Sequence, residues 1–198
     1  MKALKIFGIT IGSLVVLALI VVGIAWVLIS LPSGIASEVT SVTSSAEAAA
    51  QLDLKWTEFQ NSVTQAEPGT EVRLALTQEE VNSKINQELK TVELPSGFSI
   101  GSVNVNLVDG KILLAADVTY SVFKGQAGLE ASVEIVNGDP SIVVTDVDMG
   151  KLPIPQALKD QLEGLIPEGG VIQLSGLPLD MQNIQIVNGQ LIIMGVTK

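Results

Sequence analysis

The chain has 198 residues, 21 of them acidic and 11 basic, with no cysteine and no histidine. Those absences exclude Ser-His-Asp and Cys-His catalysis, zinc or haem sites built on Cys or His, disulfides and a lipid-modified cysteine. Beyond residue 31, nine basic residues stand against all 21 acidic ones. That balance argues against nucleic acid, whose phosphates need a basic face, and against electrostatic docking on anionic lipid heads.

Between Lys5 and Glu38 no residue is charged, and Ile6 to Leu31 is an almost unbroken apolar run of 26 residues. At about 1.5 Å per residue such a helix is roughly 39 Å long, enough to cross a hydrocarbon core of about 30 Å with some tilt. The sequence therefore predicts a transmembrane anchor over 6–31, marked by Ile6, Leu14, Leu19, Trp26 and Leu31, with Trp26 toward the far interface. A cleaved signal peptide is the rival, because Lys2 and Lys5 make a basic start and Gly34-Ile35-Ala36 has the small-x-Ala look of a cleavage site. Signal cores run only about 7 to 15 residues, which favours the uncleaved anchor. Basic residues before the span, and none after it until Lys55, put residues 1–5 in the cytoplasm and the rest outside the cell membrane. Gly8 and Gly12 form a GxxxG pattern through which the span would associate with itself or another helix, although glycine is common in membrane helices.

Residues 33–50 are small and polar and read as a juxtamembrane spacer, so 32–66 is expected to be spacer plus one amphipathic helix, ahead of an outer domain over 67–198. That helix carries Leu52, Trp56, Phe59 and Val63 at i, i+4, i+7 and i+11, and Glu67-Pro68-Gly69 ends it. Thr77, followed three residues later by Glu80, is a capping box, with Leu76 and Val81 as its hydrophobic staple. A strand ending at Leu76 thus runs into a helix from Gln78 to about Lys90. Its predicted buried stripe is Val81, Ile85 and Leu89, with Glu79, Lys84 and Glu88 facing water.

Three similar stretches follow: Leu107 to Leu113, Ile135 to Ile142 and Ile186 to Ile192, each with Asp-Gly or Asn-Gly between aliphatics. Register tests the idea that they are hairpin tips. A two-residue type I′ turn at Asp109-Gly110 pairs Val108 with Lys111, Leu107 with Ile112, Val105 with Leu114 and Val103 with Ala116, and on the other face Asn106 with Leu113, Asn104 with Ala115 and Ser102 with Asp117. A turn at Asn188-Gly189 pairs Ile186 with Leu191 and Ile184 with Ile193. The middle copy, turning at Asn137-Gly138, pairs Val133 with Ile142 and Ala131 with Val144 but then loses apolar parity, which a bulge near Thr145 repairs. In this reading both turn residues need positive φ, hence Asp or Asn followed by Gly.

Between the second and third tips, Pro153 and Pro155 open a helical stretch whose stripe is Leu158, Leu162 and Leu165, and Pro167 with Gly169-Gly170 closes it. The predicted order is helix, strand, helix, four-stranded meander, helix and final hairpin: an α+β fold with an antiparallel sheet. The last strand, Leu191 to Val196, is apolar on both faces and is expected to be covered on both.

Few constellations suggest chemistry. Ser121 and Lys124 have Ser-x-x-Lys spacing, but at a strand end and without the partner motifs that chemistry needs. Asp146 and Asp148 share a strand face as a weak cation-site candidate, and two carboxylates fall short of the six to eight oxygens calcium takes. Neither a cofactor nor a general acid/base pair is implied, so no enzyme is expected. What remains is aliphatic surface: Ile100, Val103, Val105, Leu107, Ile112, Leu114, Val118, Val133, Ile142 and Val144 on one sheet face. Such a face is either a plain core or the wall of an apolar groove.

The single span, the capped helix in "LTQEEVNSKINQEL", then "VNVNLVDGKILLAADVTY", "KLPIPQALKDQL" and "IQIVNGQLIIMG" together resemble the bacterial membrane-anchored YpmS-like and LmeA-like proteins over about Glu71 to Lys198. These are similar to the tubular lipid-binding (TULIP-like, BPI and SMP) superfamily. The resemblance implies a curved antiparallel sheet wrapped around helices and binding of a lipid or isoprenoid, with a role in moving or sensing envelope lipids. The expected lipid-lining residues are Val81, Ile85, Leu89, Val103, Val105, Leu107, Ile112, Leu114, Leu158 and Leu162. The alternative is a structural or interaction protein of the cell envelope whose core is filled.

Overall fold

The computed structural model describes residues 34–91, 97–120, 123–136, 139–148, 171–173 and 179–198. Among the described residues, three α-helices, α1 (Ile35–Glu38), α2 (Ala46–Gln65) and α3 (Gln78–Glu88, continued by a 3-10 turn at Leu89–Thr91), accompany eight strands: β1 (Glu71–Thr77), β2 (Phe98–Val108), β3 (Lys111–Tyr120), β4 (Phe123–Val136), β5 (Asp139–Asp148), β6 (Val171–Gln173), β7 (Leu179–Val187) and β8 (Gln190–Thr197). The strands form two antiparallel sheets, ordered β2-β3-β4-β5-β6 and β1-β8-β7. The class is α+β, as expected. The division into two sheets was not expected: β1 pairs with β8 along its whole length, from Glu71 opposite Val196 to Thr77 opposite Gln190. The final hairpin therefore takes its third strand from near the start of the domain rather than from the meander.

The hairpin registers follow the apolar pattern. Val103, Val105, Leu107 and Val108 lie opposite Ala116, Leu114, Ile112 and Lys111, and Ile184 and Ile186 lie opposite Ile193 and Leu191. Between β4 and β5 the pairing steps from Glu130 opposite Asp146 to Ala131 opposite Val144. Thr145 is thus the extra residue, and its hydroxyl donates to the Glu130 carbonyl at 3.2 Å. The bulge in β5 lets Val147 lie opposite Leu129 while Val144 lies opposite Ala131, which restores the apolar parity.

Some expectations need correction. Pairing in β2 shifts between Ile100 and Val103, so Ser102 does not sit in register opposite Asp117; its hydroxyl instead donates to that carboxylate at 3.0 Å. Asn188 (φ 52°) and Gly189 (φ 70°) form the mirror-image turn, but among the described residues Asn188 is the one non-glycine with positive φ. Asp109 therefore keeps ordinary φ, and only Gly110 (φ 83°) supplies the left-handed position in the first tip. The tip at 137–138 lies outside the described residues, as do the helix expected over 155–166 and the span over 6–31 with Ile6, Leu14, Leu19, Trp26 and Leu31. Among the described residues no helix is long and apolar enough to cross a membrane.

Helix α2 begins earlier than expected, inside the supposed spacer. Ser45 caps it by accepting from Ala48 N at 3.0 Å, and Ala48 and Ala49 are buried. Leu52, Phe59 and Val63 then pack into one apolar cluster with Val72, Leu74 and Leu76 of β1, Leu179, Met181 and Ile184 of β7 and Ile193 of β8. Trp56 packs against that cluster, half-buried. The folded unit therefore extends ahead of residue 67 and includes Ile35, which is 5% exposed. Helix α1 sits against β3 and β4. A side chain on Gly128 would come within 2.7 Å of Ala36 N and 2.9 Å of Ile35 Cβ, so β4 needs glycine where α1 crosses it. Ile192 and Ile193, on opposite faces of β8, are both buried, as the doubly apolar strand requires.

Candidate functional site

The capping box that starts α3 is formed in full: Thr77 Oγ1 accepts from Glu80 N at 3.2 Å, and Glu80 Oε2 accepts from Thr77 N at 2.8 Å. This fixes α3 beside β2. Ile85 is completely buried. The same side of the helix carries Gln78, Asn82 and Asn86, one turn apart, whose side-chain oxygens accept the backbone N–H groups of Leu107 at 2.8 Å, Val105 at 3.0 Å and Val103 at 3.1 Å. Asn86 Nδ2 also donates to the Val103 carbonyl at 2.7 Å.

The match is geometric. Four helical residues rise about 6.0 Å and two strand residues about 6.6 Å, so amides at i, i+4 and i+8 meet every second strand residue with little accumulated error. The edge of β2 is thereby satisfied by side chains instead of by another strand.

A second polar arrangement lies beside it. The extended residues 39–45 run between α3 and the asparagines of β2: Asn106 accepts from Thr40 N at 2.7 Å and donates to its carbonyl at 3.0 Å, and Asn104 accepts from Val42 N at 3.0 Å. Asn82, fully buried, donates to the Val42 carbonyl and to Ser44 Oγ at 3.1 and 2.9 Å, and Ser83 Oγ accepts from Ser45 N at 3.1 Å. Residues 39–45 are thus a strap held by side-chain amides and a hydroxyl.

Lys84, expected in water, is buried because α2 lies across it: Nζ meets Asp53 at 2.8 Å and Glu88 at 3.1 Å. Burial alone would lower its pKa, but the hydrogen bonds and charges of Asp53 and Glu88 outweigh it and hold the ammonium above the ordinary lysine value. Lys55 and Glu80 form a second α2 to α3 pair at 2.7 Å.

The aliphatic face of the five-stranded sheet is a second apolar region. Val103, Val105, Leu107, Ile112, Leu114 and Val118 are buried on β2 and β3, Leu129 and Ala131 on β4, and Ile142 and Val144 on β5. Of the residues expected to line a groove, Ile85, Val103, Val105, Leu107, Ile112 and Leu114 are buried, Val81 and Leu89 are half-buried, and Leu158 and Leu162 lie outside the described residues. Ile100 and Val133 are half-buried. Strand β7 of the other sheet also lies near β4, β2 and β5.

Three surface concavities lined by described residues lie elsewhere, all touching β1: one of about 350 Å³ over Arg73, Asn183 and Met194, and two of about 450 and 260 Å³ between β1 and α2. Asp146 and Asp148 stand opposite Glu130 and Gly128, and no group of three or more acidic side chains suited to a metal ion forms among the described residues. Lys124 is exposed on β4, while Ser121 lies outside the described residues.

Sequence reasoning missed the amide ladder and the strap. The signal was present as Gln78, Asn82 and Asn86 at helical spacing beside Asn104 and Asn106 at strand spacing, but polar residues with such spacing read as solvated faces. No protein-family model matches the chain, and neither a curated protein nor a solved structure matches it.

Proposed function

We propose that the chain is a single-pass, membrane-anchored protein whose outer domain holds the apolar chain of a lipid against the five-stranded sheet, as a non-enzymatic carrier or sensor of envelope lipid. The observation supporting this reading is the aliphatic face itself: Val103, Val105, Leu107, Ile112, Leu114, Leu129, Ile142 and Val144 form a wall across four strands with no charged or hydrogen-bonding side chain in it. An acyl chain asks for such a wall and little else. The anchor would keep this domain at the source of its ligand. The second reading, an envelope scaffold or interaction protein with a filled core, draws on the complete burial of Ile85 and Val105 where α3 meets β2.

Native mass spectrometry with lipid extraction, on residues 33–198 purified without detergent, separates the two. The fragment must retain Ile35, because α1 is part of the packed unit. One co-purified lipid per chain is expected. A bare protein mass with no uptake from added phospholipid vesicles would replace the carrier with the scaffold.

A further inference from the structure

One group in the apolar interior has a donor and nothing to receive it. Trp56 Nε1 is sealed from solvent and, among the described residues, is the one buried side-chain nitrogen or oxygen without a hydrogen-bond partner. Its ring lies 5.9 Å from that of Phe59 and packs against the cluster that unites α2 with the three-stranded sheet. Val81 of α3 and Val133 of β4 pack against the same cluster. A buried N–H left unpaired is costly, and such orphans are rare in folded proteins.

The chemistry of the missing partner can be narrowed. An indole N–H only donates, so the partner is an acceptor. Lys55, next to it in the chain, is already engaged with Glu80 and the Ala75 carbonyl. Among apolar side chains a carboxylate or phosphate oxygen would be buried as an anion, which is far costlier than a neutral acceptor. A neutral acceptor that also suits apolar surroundings is the carbonyl of an ester or amide joined to a hydrocarbon chain.

We infer that Trp56 is a ligand-binding residue whose indole N–H receives the ester or amide carbonyl of an acyl chain, so that the domain prefers acyl lipids to lipids lacking a carbonyl. This rests on the proposed lipid binding and adds a polar contact to it.

The test uses the full chain in nanodiscs of ether-linked phospholipid, titrated with 1-palmitoyl or 1-O-hexadecyl lysophosphatidylcholine, which differ at the ester. The chain has two tryptophans, so the indole N–H signal that vanishes in Trp56→Phe is assigned directly. The ester lipid is expected to move that proton resonance downfield and the ether lipid to leave it. Trp56→Phe is expected to weaken the ester lipid about fivefold to tenfold and to leave ether-lipid affinity unchanged, as loss of one hydrogen bond implies. If both lipids bind alike and the Trp56 resonance does not distinguish them, the carbonyl contact is overturned while lipid binding stands. If neither binds, the parent reading falls and this inference with it.

Discussion

Helices α2 and α3 use the same 3.6-residue period for opposite chemistries. Along α2, positions 52, 59 and 63 are apolar and enter the cluster beneath β1, β7 and β8. Along α3, positions 78, 82 and 86 are amides, and they close the edge of β2. The apolar seam is non-directional and tolerates reshaping, since burial of area is what stabilises it. The polar seam is directional: each amide answers a particular backbone group, and a lost partner strands a buried donor or acceptor.

One substitution in each seam should expose that difference most strongly. Asn82→Leu keeps the branching of the side chain but leaves Val105 N and the Val42 carbonyl unpaired, and is expected to cost about 3 kcal/mol. Leu52→Met in the apolar seam is expected to cost under about 1.5 kcal/mol. Urea unfolding of both variants measures the contrast, and equal costs would mean that the amide ladder is ornamental.

A smaller effect should appear with pH. Because the folded-state pKa of Lys84 is raised, its contribution to stability is complete below the unfolded value of about 10.4 and is lost as pH rises through the folded value. Thermal unfolding across that alkaline window should therefore decline less steeply in Lys84→Met than in the parent chain. Parallel curves would show that the ammonium gains nothing from Asp53 and Glu88.

The smallest contrast sits in the two hairpin tips. Asn188→Ala forces alanine into left-handed backbone and is expected to cost about 1 kcal/mol, whereas Asp109→Ala should fall within about 0.5 kcal/mol. Equal melting temperatures for the two variants would refute the assignment of different turns.

These contrasts also explain what could be read from the chain beforehand. Capping by Thr77 and Glu80, both described hairpin registers and the bulge at Thr145 rest on neighbours in sequence or on period-two alternation, and each was legible. The union of β1 with β8 brings residues more than a hundred positions apart, and no local pattern encodes it. Lys84 looked solvated because charge on a helix usually is; its burial depends on where α2 crosses. The strap looked like spacer because its own side chains are small, while the residues that hold it lie on α3 and β2. For the candidate site, alternation identified the aliphatic wall, but the orphan indole followed only from seeing which polar atoms lack partners.

The amide ladder on β2 has a consequence for crowding. A bare strand edge invites the same strand of a neighbouring molecule to add on, and repetition of that step makes fibres. Gln78, Asn82 and Asn86 occupy the very groups an intruding strand would need, but through side chains that cannot themselves be extended into a sheet. The helix therefore closes that edge, and its loss would leave those backbone groups open to strand addition.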